Sequence, residues 1–104
     1  MYIQIMRVIA KSRLRQMWQK KQYREAEQFL RAWYDEMSKG TWNNLNDLKA
    51  EYPTASIAGN NRVVFNIRGN EYRLIAKFEF RMNAVFIRFF GTHKEYDKID
   101  ASEA

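Results

Sequence analysis

The residues best suited to acid–base chemistry lie close together near the end of the chain, between Thr92 and Asp97. The segment reads Thr-His-Lys-Glu-Tyr-Asp and contains the only histidine of the sequence. A histidine side chain ordinarily has a pKa of about 6.5, closer to neutrality than any other side chain. On helical spacing, His93, Tyr96 and Asp97 share one face. Two interpretations follow from the residues alone: a proton-transfer site, or a histidine that begins a helix and hydrogen-bonds nearby backbone.

An aromatic strand at about residues 86–90 must position this segment. Alternation predicts Val85, Ile87 and Phe89 on one face of the strand and Phe86, Arg88 and Phe90 on the other. Gly91 and Thr92 then predict a tight turn into a short polar helix. Thr92 stands at the N-cap position with Glu95 three residues later, which is the pattern of a capping box.

One face of the predicted sheet is both cationic and aromatic. Its members are Asn66, Arg68, Arg73, Lys77 and Arg88, interleaved with Val64, Ile75, Phe86 and Phe90. Such a surface suits single-stranded RNA, because bases stack on aromatic rings while cations contact the backbone. Arg73 is the strongest candidate for a phosphate contact, since we expect it in mid-strand beside Lys77. The alternative is a face that its charges keep soluble, with Phe86 and Phe90 covered by the C-terminal segment.

Helices precede this sheet. A strand is predicted at Arg7 to Ile9, and apolar residues then recur at helical spacing from Lys11 to Lys39, with a break near residues 20–22 and Gly40 as the C′ residue. A further helix is predicted at Leu45 to Glu51, ended by Pro53. The polar face of the first helices carries Arg13, Arg15, Lys20, Lys21, Arg24 and Arg31. This face is either a solvated surface or a clamp for ribosomal RNA phosphates.

The remaining strands form a meander. They are predicted at Ala55 to Ala58, Arg62 to Arg68 and Glu71 to Phe80, with a two-residue hairpin turn at Gly69-Asn70. Residues 100–104 are predicted to be a frayed tail. The expected class is therefore α+β, a two-layer fold in which N-terminal helices pack on an antiparallel sheet and a short C-terminal helix follows.

Length and composition narrow the possible functions. The 104 residues predict a single domain, 1–104, with its core at about 6–101 and Met6 as a second candidate start. The net charge of +6 favours a polyanionic partner. No long apolar run, signal peptide or cysteine is present in the sequence, so we expect a cytoplasmic protein without membrane contact. With one histidine and no clustered carboxylates, we expect neither a metal site nor a cofactor.

Two blocks of the chain resemble a known family. Residues 62–67 with Gly69-Asn70-Glu71-Tyr72-Arg73-Leu74-Ile75, and Gly91-Thr92-His93-Lys94-Glu95-Tyr96-Asp97, are similar to the HigB-type toxins of bacterial type II toxin–antitoxin systems, in the RelE superfamily of mRNA interferases. The resemblance extends over about residues 6–101. It implies a RelE-like fold, metal-independent cleavage of mRNA in the ribosomal A site, and a HigA-like antitoxin that covers the basic surface or the active region.

The resemblance also implies roles for individual residues, since the block from Thr92 to Asp97 is the family's recurrent C-terminal motif. RNA cleavage of this kind needs a base, an acid and a cation at the phosphate, and one histidine cannot make both proton transfers, so Glu95, Tyr96 or a lysine of lowered pKa must serve beside it. Because Tyr96 shares the helix face of His93 whereas Lys94 and Glu95 point elsewhere, we assign His93 and Tyr96 to catalysis. Arg73 is assigned to the scissile phosphate, and Asp97 orients His93 or the helix. RNA binding is assigned to Asn66, Arg68, Lys77, Arg88 and Lys94. The alternative function is a non-catalytic RNA- or ribosome-binding inhibitor of translation.

Overall fold

A five-stranded mixed sheet carries helices on one face. The computed structural model describes residues 6–9 and 11–104, and the side chains of residues 11–13 lie outside that description. The elements are β1 (Arg7–Ile9), α1 (Lys11–Gln19), a 3₁₀ turn (Lys21–Ala26), α2 (Glu27–Lys39), α3 (Leu45–Glu51), β2 (Ser56–Gly59), β3 (Arg62–Ile67), β4 (Tyr72–Glu79), a 3₁₀ turn (Phe80–Met82), β5 (Ala84–Thr92), α4 (His93–Tyr96) and a 3₁₀ turn (Ala101–Glu103). The candidate start at Met1 and the side chain of Arg13 are outside the described part, so the predictions on them stay predictions.

The strand order is β1-β5-β4-β3-β2. Strands β2 to β5 form the predicted antiparallel meander, but β1 pairs with β5 in parallel. The prediction of an all-antiparallel sheet was therefore wrong at its edge. Two parallel neighbours need a long crossover connection, and here the helices and the meander lie between β1 and β5. The position of β5 matters for the site, because α4 follows directly from the end of β5.

The helical layer and one face of the sheet share a single apolar core. Leu14 and Trp18 of α1 and Leu30, Trp33 and Met37 of α2 are buried in one cluster with Val63, Phe65, Leu74, Phe78, Val85 and Ile87 of the sheet. Burial of each such side chain contributes about 1.5–3 kcal/mol. The helices and the five-stranded sheet confirm the α+β class. None of the helices in the described part of the chain is long and apolar enough to cross a membrane.

Gly40 ends α2 as predicted, but for a different reason. Its backbone is extended, with φ −78° and ψ 157°, rather than left-handed as a C′ glycine would be. A Cβ atom at Gly40 would lie 2.0 Å from the ring of Trp42, which is buried. The position therefore requires glycine because an aromatic ring contacts its backbone.

The connection between β3 and β4 is longer than predicted. The last paired residues are Ile67 and Tyr72, so the loop has four residues, 68–71, rather than the two predicted at Gly69-Asn70. Arg68 and Gly69 both have positive φ, 51° and 62°. Consequently Arg68 leaves the strand and turns towards the helical layer.

A β-bulge in β5 changes which aromatic residues face the helices. Ile75 pairs with Phe89 whereas Ala76 pairs with Ile87, so Arg88 is the extra residue. Beyond the bulge Phe90, not Phe89, joins the helix-side core, where its ring lies 5.1 Å from that of Tyr23. The simple alternation predicted for this strand was wrong after Ile87.

The C-terminal residues are packed on the opposite face of the sheet. The turn at Ala101–Glu103 lies against β2 and β3, and Asn60 Nδ2 donates to the Ser102 carbonyl at 3.1 Å. On this face Val64 and Ile75 are 4% and 0% exposed, although neither belongs to the helix-side core. The prediction of a frayed tail was wrong. We call this side of the sheet the tail face; its polar or aromatic members are Arg62, Asn66, Arg73, Lys77, Phe86, Arg88 and Phe89.

Candidate active site

The segment with the only histidine is a helix that continues directly from the sheet. Strand β5 runs through Thr92 and α4 begins at His93, so the predicted tight turn at Gly91-Thr92 is absent. The capping box is confirmed: Thr92 Oγ1 accepts from the Glu95 N–H at 3.2 Å, and Glu95 Oε1 accepts from the Thr92 N–H at 2.7 Å. The His93 N–H donates to the Glu71 carbonyl at 3.0 Å, which holds the helix start against β4.

Glu95 is occupied by structural contacts. Besides the Thr92 N–H, it accepts a hydrogen bond of 2.8 Å from the hydroxyl of Tyr23, which is buried under the helical layer. The Thr92 backbone N–H, followed by the Tyr23 hydroxyl, holds the pKa of Glu95 below its ordinary value. Burial, and then the neighbouring Glu95, raise the pKa of Tyr23. Glu95 thus anchors α4 as a carboxylate.

His93 is oriented by Asp97. Its Nδ1 lies 3.0 Å from Asp97 Oδ2, and both side chains are about half exposed, at 48% and 57%. A carboxylate only accepts hydrogen bonds, so this contact places a hydrogen on Nδ1. In the neutral imidazole Nε2 is then the nitrogen that can take a proton. The contact agrees with one of the two roles predicted for Asp97, the orientation of His93 rather than of the helix, and the role itself stays a prediction.

Arg73 and Tyr96 are in contact beside this pair. The guanidinium carbon of Arg73 lies 6.0 Å from the centre of the Tyr96 ring, at the outer limit of a cation–π contact. Arg73 Nη1 also donates to the carbonyls of Asn70 and Tyr72, at 3.2 and 3.1 Å. Arg73 is the second residue of β4 rather than a mid-strand residue, so the predicted position was wrong. Its place at the strand end brings it to the same end of the sheet as α4.

Gly91 lies opposite Arg73 in the ladder between β4 and β5. A Cβ atom there would lie 2.9 Å from both Glu95 Oε1 and the Phe89 ring. A side chain at Gly91 would therefore displace the carboxylate that anchors α4. This glycine permits the close approach of α4 to the strand.

The predicted RNA-binding residues lie in four places, of which Arg68 is the one outside the sheet face. Asn66 pairs with Arg73 across the β3–β4 ladder, and Lys94 is exposed on α4, so both lie at the active-site end of the sheet. Lys77 lies four residues further along β4, about 13 Å away at strand spacing, and pairs with Glu79 at 3.3 Å. Arg88, on the bulge, donates through Nε to the backbone oxygen of Ala104 at 3.1 Å.

Arg68 is held away from the tail face. Its guanidinium pairs with Glu25 at 2.6 Å and with Glu71. These carboxylates, through hydrogen bonding to Glu71 first, raise the pKa of Arg68 above its ordinary value. An RNA phosphate at Arg68 would have to compete with both of them.

Sequence reasoning missed Arg62. It begins β3, pairs with Lys77 across the ladder and lies on the tail face. The signal was available in the alternation Arg62, Val64, Asn66, whose first member belongs with the other two.

Of the cations on the helical face, Arg31 pairs with Glu27 at 2.8 Å and stacks over Trp18, whereas Arg15, Lys20, Lys21 and Arg24 are exposed. Among residues 6–9 and 11–104, no group of three or more His, Asp or Glu side chains is arranged to hold a metal ion.

Comparisons with known proteins point to one family. Residues 26–99 match the family described as HigB toxin, RelE-like toxic component of a toxin–antitoxin system. Over 63 residues the chain is 36% identical to the mRNA interferase toxin HigB of Escherichia coli K12, and equally to the mRNA interferases HigB of Escherichia coli O157:H7 and Shigella flexneri. The aligned part is 59% of this chain and 61% of each relative.

The family match contains the whole candidate active site. Arg73, Tyr96 and the His93–Asp97 pair all lie within residues 26–99, together with the capping box that holds α4 in place. Strand β1, α1 and the turn at Ala101–Glu103 lie outside the match. Because the match covers more than half of the chain, the protein belongs to the HigB toxin family, the RelE-like toxic components of toxin–antitoxin systems.

Proposed function

We propose that this protein is the toxin of a type II toxin–antitoxin system, with a RelE-like fold, and that it inhibits translation by cutting mRNA on the ribosome. The observation that carries the proposal is the oriented His93–Asp97 pair beside Arg73 and Tyr96, at one end of a cationic sheet face. Relatives that share 36% identity are named mRNA interferases, which supports an endoribonuclease.

In this proposal the 2′-hydroxyl of one nucleotide attacks the adjacent phosphorus. The new bond joins O2′ to phosphorus and the bond from phosphorus to O5′ breaks, so the products are a 2′,3′-cyclic phosphate and a free 5′-hydroxyl. One proton leaves O2′ and one arrives at O5′. His93 Nε2 and the Tyr96 hydroxyl share these two transfers, and a water later opens the cyclic phosphate to a 3′-phosphate.

Arg73 stabilises the charge that develops on the phosphorane. Its guanidinium adjoins the Tyr96 ring, and a fork of N–H donors matches the geometry of phosphate oxygens. In this mechanism the positive charge comes from the side chain, so the reaction is metal-independent. Asp97 fixes the orientation of the imidazole ring through its contact with Nδ1.

Asn66, Lys77, Arg88 and Lys94 bind the RNA backbone in this proposal, and Arg68 contributes where RNA displaces Glu25 and Glu71. In this proposal the ribosome holds the mRNA in position, so the protein itself needs few acid–base groups. Because translation takes place in the cytoplasm, the protein would act there. A HigA-like antitoxin would neutralise the protein by covering the basic surface or the active end.

The test adds the purified protein to ribosome complexes stalled on end-labelled mRNA, and in parallel to the same mRNA without ribosomes. We expect cleavage only on the ribosome, reduced about tenfold to hundredfold by His93→Ala or Arg73→Ala. Arg81→Ala, which removes an exposed arginine near the opposite end of β4, serves as the matched control and cleaves normally. Full activity in both site variants would contradict the assignment. Arrest of translation without a cut, equal in all variants, would instead favour the non-catalytic binding module.

A further inference from the structure

The helix α4, which carries His93 and Tyr96, is too short and too exposed to hold its own position. It has four residues, and no side chain of this helix, which the structure describes throughout, is buried. Isolated helices of this length are unstable in water, because few hydrogen bonds form for the residues that must be fixed. Contacts from outside α4 must therefore set where its two candidate catalytic side chains lie relative to Arg73.

One of these contacts comes from the 3₁₀ turn Lys21–Ala26, which connects the first two helices. The Tyr23 hydroxyl donates to Glu95 Oε1 at 2.8 Å, across 72 residues of sequence. The same oxygen accepts from the Thr92 N–H, so it belongs to the capping box that starts α4. Tyr23 thus holds the carboxylate on which the first turn of α4 depends.

The ring of Tyr23 is itself fixed by packing. Tyr23 is 4% exposed, and its ring lies edge-on to those of Phe90 and Tyr72, at 5.1 and 6.1 Å. Those two rings stack on each other at 5.4 Å. Tyr72 pairs with Thr92 in the ladder, so this aromatic cluster lies next to the start of α4. Aromatic pairs of this geometry are favourable beyond their burial, and they give the hydroxyl a fixed position from which to donate.

A second link runs from the same 3₁₀ turn but is weaker. Glu25 pairs with Arg68 at 2.6 Å, and Arg68 pairs in turn with Glu71. The Glu71 carbonyl accepts from the His93 N–H at 3.0 Å. The Glu25 and Glu71 side chains are 70% and 53% exposed, and exposed ion pairs contribute little. The hydroxyl of the buried Tyr23 is therefore the contact whose loss should matter most.

We propose that Tyr23 is a positioning residue for the active site, acting through Glu95 on the place of α4. Held in this way, Tyr96 meets the Arg73 guanidinium, with His93 on the same helix. The proposal rests on the proposed function in taking these side chains as the reacting groups. Tyr23 touches no substrate, because it is buried in the helix-side core whereas Arg73 lies on the tail face. A displacement of a reacting group by about 1 Å can reduce a rate by about a hundredfold.

The experiment compares Tyr23→Phe with Tyr52→Phe in single-turnover cleavage of end-labelled mRNA on the ribosome. Tyr52 is a matched control: its hydroxyl also donates to a glutamate, Glu36 Oε1 at 2.7 Å, but this bond joins α2 to the residue after α3. We expect Tyr23→Phe to lower the maximal rate at least about tenfold, with the protein concentration at half-maximal rate unchanged. Tyr52→Phe should cleave like the parent. An equal effect of the two substitutions would overturn the proposal.

A double-mutant cycle tests whether Tyr23 acts through Glu95. Glu95→Ala removes the acceptor, so adding Tyr23→Phe to this variant should lower the rate by less than about twofold further. A loss of stability unrelated to α4 would instead multiply the two effects. The full effect of Tyr23→Phe in the Glu95→Ala background would overturn the proposal.

Hydrogen exchange measures the same link without any cleavage. The N–H groups of Asp97 and Lys98 donate to the carbonyls of His93 and Glu95, at 3.0 and 3.3 Å, so their exchange reports the opening of α4. We expect Tyr23→Phe to accelerate this exchange about fivefold and Tyr52→Phe to leave it unchanged. Equal exchange in the two variants would overturn the proposal. Faster exchange in Tyr23→Phe alone, in a protein that never cuts mRNA, would refute the enzyme and leave the anchoring of α4 standing.

Discussion

Two carboxylates flank Tyr96 and have different roles because their surroundings differ. Glu95 accepts from the Thr92 N–H and from the buried Tyr23 hydroxyl, so it ties α4 to the helical layer. Asp97 is more than half exposed and contacts the imidazole of His93. Residue type alone did not separate these roles.

Asp97→Asn should lower cleavage on the ribosome by about tenfold without unfolding the protein. An amide can donate as well as accept a hydrogen bond, so the imidazole is no longer fixed in the tautomer that carries its hydrogen on Nδ1. The measurement is the cleavage rate on the ribosome at pH 7. Asp35→Asn, which removes a surface carboxylate paired with Lys39, is the control. An unchanged rate for Asp97→Asn would show that Asp97 does not act on the imidazole.

Tyr23→Phe should lower the free energy of unfolding by about 1 kcal/mol at pH 7, since Glu95 loses a donor. Folding lowers the pKa of Glu95, so its carboxylate stabilises the native state above its ordinary value of 4.5, and this contribution is lost as the pH falls below that value. The difference between Tyr23→Phe and the parent protein should therefore shrink below pH 4.5. Urea unfolding at pH 7 and pH 3 measures it; an equal loss at both would contradict the coupling.

At the scale of elements, α4 has only four residues and depends on its cap and on β5. Thr92→Val keeps the shape of the side chain but removes the oxygen that accepts from Glu95, so we expect a loss of about 1 kcal/mol in stability. Thr92→Ser keeps the oxygen and should remain close to the parent. Urea unfolding of the two variants distinguishes them. If both lost the same stability, the methyl group rather than the cap would be the important part.

Glycine is required at residues 40 and 69 for different reasons, and substitution of each by alanine distinguishes the two reasons. Gly40→Ala places a methyl group inside the ring of Trp42 and should cost about 1–3 kcal/mol or more. Gly69→Ala has open space but retains a φ of 62°, so about 1 kcal/mol is expected. Thermal or urea unfolding gives the ranking. A larger loss at Gly69 would mean that the Trp42 ring can move aside.

At the scale of the whole molecule, the net charge of +6 is not uniformly available to RNA. Some cations are neutralised within the fold: Arg68 by Glu25 and Glu71, and Arg31 by Glu27. Others, such as Lys94 on α4, are exposed at the active end. The net charge counted from the composition is therefore larger than the positive charge that is free to contact a strand of RNA.

The salt dependence of RNA binding tests this difference. Each phosphate contact on a single strand contributes a slope of about −0.7 in log affinity against log salt. Lys94→Ala should reduce the slope by about that amount, whereas Arg68→Ala should change it less. Anisotropy titrations with a fluorescent, 2′-O-methylated single strand, which cannot be cleaved, at several salt concentrations give both slopes. The reverse order would show that pairing with Glu25 and Glu71 does not limit the contact between Arg68 and RNA.

The sequence by itself determined what depends on near neighbours. The helices, the meander and the capping box of Thr92 and Glu95 follow from patterns within a few residues, because helical periodicity and cap hydrogen bonds are local. For the same reason the shared face of His93 and Asp97 was predictable from their spacing. The family resemblance was carried by the same contiguous blocks and is confirmed by the match to residues 26–99.

Only the tertiary structure decided what depends on partners distant in sequence. The bulge that turns Phe90 instead of Phe89 towards the helices arises from the pairing of β5 with β4. The parallel orientation of β1 likewise depends on its pairing with β5. Residues 101–104 lie on the sheet because Asn60, Arg62 and Arg88 donate hydrogen bonds to their backbone oxygens. Every residue type has a backbone oxygen, so the sequence does not show which residues accept these bonds. The register between strands and the hydrogen bonds to backbone oxygens depend on residues that are distant in sequence, so patterns within a few residues could not predict them.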